Sequence, residues 1–122
     1  MVRLKNGVMK SKYGNRRITF NGIVFDSVAE ATRYKQLTYL EKAKEITDLK
    51  TQVEIKLLDS FDFDGTKIRG ISYYADFQYK QGDKTVIEDY KGYKTEIYKI
   101  KKKLLLNKIK NTPNMVFIET TN

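Results

Sequence analysis

The segment that decides the fold is Tyr73-Tyr74-Ala75-Asp76-Phe77-Gln78-Tyr79-Lys80-Gln81-Gly82-Asp83-Lys84-Thr85-Val86-Ile87-Glu88-Asp89-Tyr90-Lys91. Its two arms face each other across Gly82-Asp83, a pair suited to a tight hairpin turn. A turn centred between Gly82 and Asp83 opposes residues whose numbers sum to 165, because each step outward on one arm matches a step on the other. Asp76 then lies opposite Asp89. Lys91 shares the face of Asp89 by the period of two, with Tyr74 as its cross-strand neighbour. Like charges so placed, with Cβ atoms roughly 5 Å apart, destabilise a sheet. A divalent cation between the carboxylates removes the repulsion, and Lys91 adds a positive neighbour. Two other readings stay open at this point. The hairpin can be solvated with its opposed acids incidental, or the turn can slip by one residue, so that Glu88 competes with Asp89 for the inner face.

Outward from this hairpin, the chain reads as a mixed α/β domain. Arg17 to Phe20 and Ile23 to Phe25 flank Asn21-Gly22, which suits a type I′ turn and a short hairpin. Ser27-Val28-Ala29-Glu30 has capping-box spacing, and Val28, Ala31, Tyr34, Leu37 and Leu40 recur at helical intervals to about Lys44. Ile46 to Leu58 alternates, with Val53, Ile55 and Leu57 on one side and Gln52, Glu54 and Lys56 on the other. Asp59 to Lys67 contains the turn formers Asp62, Asp64 and Gly65, and strands are expected over Ile68 to Lys80 and Lys84 to Lys91. A second helix is expected from about Thr95 to Lys110, with Ile97, Ile100, Leu104 and Ile109 on one face, then a buried strand at Met115 to Ile118. The order is helix, three strands, helix, strand, with a partly antiparallel sheet, preceded by the short hairpin.

A chain of 122 residues suits one compact domain. It has no Cys and no His, which excludes disulfides, thiolate sites, zinc sites and histidine catalysis. Any metal chemistry must use oxygen donors, which favour Mg²⁺ or Mn²⁺. The net charge of +9 suits a polyanionic partner such as nucleic acid. Residues 1–17 carry Arg3, Lys5, Lys10, Lys12, Arg16 and Arg17 with no acid, and read as a basic, flexible arm. With no signal-like or membrane-length apolar run, the expected location is the cytoplasm.

Ala75-Asp76, followed after twelve intervening residues by Asp89-Tyr90-Lys91, resembles the signature of the PD-(D/E)xK nuclease superfamily, with Ala75 where the signature has Pro. Phe25-Asp26-Ser27-Val28-Ala29-Glu30 is similar to the first-helix motif of its transposase-type and resolvase-type members. Together with Lys12-Tyr13-Gly14-Asn15 and Glu88-Asp89-Tyr90-Lys91-Gly92, the pattern also resembles a family of small phage-encoded, endonuclease-like proteins. The resemblance implies a restriction-endonuclease-like αβββαβ core with a mixed sheet flanked by helices. It implies a Mg²⁺- or Mn²⁺-dependent DNA endonuclease, with Asp76 and Asp89 as metal ligands, Lys91 as the water-orienting base and Glu30 as an accessory ligand. Glu30 is equally the N3 partner of a capping box. Gln52 could approach the same site by analogy, or be an ordinary polar strand residue. Arg16, Arg17, Lys94, Lys99, Lys102 and Lys103 are the expected backbone contacts to DNA. A branched-DNA or Holliday-junction substrate and a homodimer would follow from that resemblance, and the rival reading is an inactive DNA-binding accessory on the same fold.

Overall fold

The computed structural model describes residues 17–120, together with the backbone of Val2–Arg3 and Met9–Lys10. Two compact units are distinguished, Met1–Lys44 and Glu45–Asn122. Lys12 to Arg16, which include the arm's Arg16 and the Lys12-Tyr13-Gly14-Asn15 motif, lie outside the described residues.

In the first unit, β1 (Val2–Arg3) and β2 (Met9–Lys10) pair antiparallel within the segment expected as an arm. The hairpin β3 (Ile18–Phe20) and β4 (Ile23–Phe25) follows, and its turn residues Asn21 and Gly22 sit at φ 54° and 76°. Both are positive, as a type I′ turn requires. Helix α1 (Val28–Lys42) starts at Ser27, whose Oγ accepts the Glu30 amide at 3.1 Å. It buries Ala31 and Leu37, and Tyr34 packs between Phe20 and Phe25 with ring centroids 5.9 and 5.1 Å away. Val28, expected on the buried face, is exposed at the helix start.

The second unit is built on a sheet of four strands in the order β10-β9-β8-β5. These are β5 (Thr47–Leu58), β8 (Ile71–Gln81), β9 (Lys84–Tyr90) and β10 (Met115–Thr120). Neighbours β5, β8 and β9 run antiparallel, whereas β10 lies parallel to β9 after the crossover through α2 (Glu96–Ile109). A parallel pair needs such a crossover, and the helix supplies it. Among the described residues the fold is therefore mixed α/β, with a mixed sheet and two helices. Between β5 and β8 stands a small hairpin, β6 (Phe61–Phe63) and β7 (Thr66–Ile68), turning at Asp64 and Gly65 with φ 50° and 77°. The turn formers of Asp59 to Lys67 predict only a turn, with the next strand from Ile68, whereas this segment forms a hairpin of its own. The break is Gly70, where a Cβ would lie 2.4 Å from the Leu58 carbonyl oxygen.

Helix α2 corrects a second expectation. It turns Leu105 and Ile109 into the core, with Tyr98 half-buried beside them, and leaves Ile97, Ile100 and Leu104 exposed. Two apolar stripes run along this helix, and only the one carrying Leu105 meets the sheet residues Tyr73, Ala75 and Ile87. Full burial of a side chain such as Leu105 or Ile87 contributes about 1.5–3 kcal/mol.

Candidate active site

The β8–β9 hairpin turns at Gly82, φ 63°, and its ladder pairs Gln81 with Lys84 and Phe77 with Glu88. Every pair sums to 165, so the register read from the sequence is the one adopted. At the next step, the carboxylates themselves join the strands. The Asp76 amide donates to Asp89 Oδ1 at 2.8 Å, and the Tyr90 amide donates to Asp76 Oδ2 at 2.8 Å.

The side-chain alternation of β8 turns over at this point. Phe77 and Tyr79 oppose Glu88 and Val86, so they share the face of those residues. Tyr73 and Ala75, an even number of residues away, instead pack with Ile87, Leu105 and Ile109 on the α2 face. Period two is broken between Ala75 and Phe77, at Asp76. On β5 the matching row holds Gln52, at φ 51° between the pairs Thr51–Phe77 and Val53–Ala75. One row of the sheet is distorted across two strands, and the carboxylate of Asp76 sits in that row.

This turnover changes which tyrosine meets the site. Tyr74 is 57% exposed and directs its hydroxyl to Glu54, at 3.3 Å. Tyr73 takes the place expected for it, donating its hydroxyl to Asp89 Oδ2. Burial, with that bond to the Asp89 carboxylate, pushes the Tyr73 phenol far up, so it stays a donor. Lys91 Nζ lies 3.9 Å from the same Oδ2 and 4.8 Å from the centre of the Tyr98 ring. Glu88 points to the other face, fully buried, and accepts the Tyr79 hydroxyl at 2.7 Å. The slipped register is thereby excluded.

Asp89 is fully buried and Asp76 is 8% exposed. Burial first, and the Asp89 charge second, push the Asp76 carboxyl from 3.8 up to about 7, although the Tyr90 amide and Lys91 pull it down. Two adjacent carboxylates at this depth are costly unless something cationic joins them. The donor set fits a hard cation: two carboxylates within hydrogen-bonding reach of each other, held by backbone amides, match the one or two carboxylates that Mg²⁺ takes beside water and phosphate oxygens. Among the described residues no group of three or more Asp and Glu gathers. Glu30, in the first unit, is 5% exposed, a burial that a cap role alone does not require.

A second carboxylate centre was not visible in the sequence. Glu119, on β10 one strand over from Asp89, takes Lys94 at 3.0 Å, Lys102 at 3.1 Å and the Tyr98 hydroxyl. Burial opposes its ionisation, but Tyr98 and the two lysines outweigh that and hold the carboxyl down at about 2. The four expected DNA-contacting lysines of this region, Lys94, Lys99, Lys102 and Lys103, line one pocket of about 250 Å³ with Tyr98 and Leu106. Arg17 makes an exposed ion pair with Asp26, at 3.5 Å, in the first unit. A larger cavity, about 460 Å³, is lined by Glu54, Lys56, Asp59, Ser72, Tyr74 and Lys101 and includes none of Asp76, Asp89 and Lys91. Among the described residues, no helix is long and apolar enough to cross a membrane.

A family model described as a protein of unknown function (DUF1064) matches residues 10–120. The chain belongs to this family, whose match spans both units and every residue of the pair. No match is found among curated proteins or solved structures.

Proposed function

From a family membership that names no activity, and a site that joins two buried carboxylates and a lysine, we propose that the protein is a metal-dependent nuclease hydrolysing DNA phosphodiesters on a restriction-endonuclease-like core. The observation that carries this reading is the convergence of Asp76 and Asp89 across the strand row, with the Lys91 ammonium 3.9 Å from Asp89. Asp76 and Asp89 would hold Mg²⁺ or Mn²⁺. When bound, such a cation supplies Lewis acidity at the phosphoryl oxygen. The chain's own groups do the rest. Backbone amides fix both carboxylates, and Tyr73 holds Asp89 from behind. Lys91, partly exposed, orients the attacking water and stabilises charge developing on the phosphate. The net charge of +9 and the lysines around Tyr98 support DNA as the substrate, and cutting two strands symmetrically takes two copies.

One observation favours a second reading, an inactive DNA-binding accessory. Asp89 is fully buried, and both of its oxygens already accept hydrogen bonds, as in a purely structural network. Incubation with four-way junction, flap, nicked and linear duplex DNA separates the two. Cleavage in Mg²⁺ or Mn²⁺, absent in EDTA and lost in Asp76→Ala and Lys91→Ala, supports the nuclease. Binding without cleavage of any substrate, unaltered by Asp89→Ala, supports the accessory.

A further inference from the structure

The pocket around Tyr98 gathers four ammonium-bearing side chains in about 250 Å³. Two carboxylates face them. Glu119 holds Lys94 and Lys102, whereas Glu96 holds Lys99 through an exposed contact of 3.3 Å, of the kind that contributes little. Lys103 pairs with no carboxylate among the described residues. The four lysines that line the pocket thus outnumber the carboxylates that hold them, an excess of about two positive charges around its rim that an anion would offset.

Its size and walls narrow the anion. Sites for drug-sized ligands occupy roughly 300–1,000 Å³, so this one suits a group rather than a whole nucleotide. Its walls include the Tyr98 ring and Leu106, and the lysines contribute apolar stems beneath charged ends. Apolar walls under a cationic rim match a sugar-phosphate link better than a free inorganic ion. Position narrows it further. Tyr98 lines the pocket and also carries Lys91 on its ring at 4.8 Å, so a single aromatic side chain joins the pocket to the carboxylate pair. Lys102 is fixed from two sides, by Glu119 at 3.1 Å and by the Phe117 ring at 5.7 Å.

We propose that this pocket seats the backbone phosphodiester next to the one placed at Asp76 and Asp89, with Glu119 holding Lys94 and Lys102 in register and Lys99 and Lys103 closing on the phosphate oxygens. The seat rests on the nuclease reading for its place along the strand, but not for its affinity.

The test is fluorescence anisotropy with labelled single-stranded and duplex DNA in EDTA, over a series of salt concentrations. Lys99→Gln with Lys103→Gln should weaken binding about tenfold and lower the slope of log affinity against log salt by about 1. Lys108→Gln with Lys110→Gln removes the same charge from exposed positions that do not line the pocket, and should change affinity less than about threefold. An equal loss in both double variants, or an unchanged slope in the first, overturns the seat in favour of net charge. Lysine-dependent binding to anionic lipid vesicles, with no affinity for DNA, overturns it in favour of a membrane surface. Pocket-dependent binding by a protein that cleaves nothing leaves the seat standing and removes the nuclease. Cleavage with an unaffected slope does the reverse.

Discussion

Replacing Asp76 with Asn should stabilise the protein at alkaline pH and do almost nothing at acid pH. The Asp76 carboxyl is pushed from 3.8 up to about 7, by burial and by Asp89. The folded state therefore binds more protons than the unfolded chain between those values. Stability falls as pH rises through that window, and the full penalty is present above about pH 7. A shift of that size corresponds to ~4 kcal/mol between the two protonation states. The cost belongs to the pair, so Asp76→Asn should recover only part of it, about 2–3 kcal/mol at pH 8. An asparagine can keep the geometry, its Oδ1 accepting the Tyr90 amide and its Nδ2 donating to Asp89. Urea unfolding followed by circular dichroism at pH 5 and pH 8, in EDTA, measures the difference. Mg²⁺ at ten times its dissociation constant should stabilise the parent by about 1.4 kcal/mol at pH 8 and leave the variant unmoved. A variant less stable than the parent at pH 8, or one shifted equally at both pH values, would refute the reasoning.

Tyr73→Phe removes the hydroxyl that holds Asp89 from the α2 side, and should cost about 1–3 kcal/mol in thermal or urea unfolding, because Asp89 stays buried with one donor fewer. Glu119→Gln should cost about 1–2 kcal/mol at pH 7, after discounting for the partly exposed lysines. The Glu119 carboxyl is held at about 2 against an ordinary 4.5, so its contribution is present above the higher value and lost as pH falls through the lower. Thermal melts of parent and variant should accordingly converge toward pH 2.

The parts of this architecture that depend on local geometry were legible in the sequence. A two-residue turn fixes the register of the whole hairpin, so Gly82-Asp83 was enough to set Asp76 against Asp89 and to put Lys91 on the Asp89 side. Asn21-Gly22 and Ser27 likewise announced their turn and cap. Features set by tertiary packing were not. On α2 both Ile97-Ile100-Leu104 and Tyr98-Leu105-Ile109 are apolar and helically spaced, and only the sheet decides which stripe is buried. The turnover of β8 at Asp76 is invisible to period-two reasoning, which assumes a regular strand and so assigns Tyr74 where Tyr73 belongs. Glu119 was missed because the apolar run of the last strand ends at Ile118, whereas the ladder with β9 continues to Thr120. The only sequence signal was an isolated acid directly after a β-prone run, facing a lysine-rich helix.

Two peptide groups acquire an unusual property from the way the strands join at the pair. The amides of Asp76 and Tyr90 are held by side-chain carboxylates, where most amides in a sheet bond to a neighbouring carbonyl. Their proton chemical shifts and solvent-exchange rates will therefore respond to whatever changes the charge on those carboxylates. The backbone itself carries two built-in spectroscopic reporters, readable without a substrate, a label or a mutation.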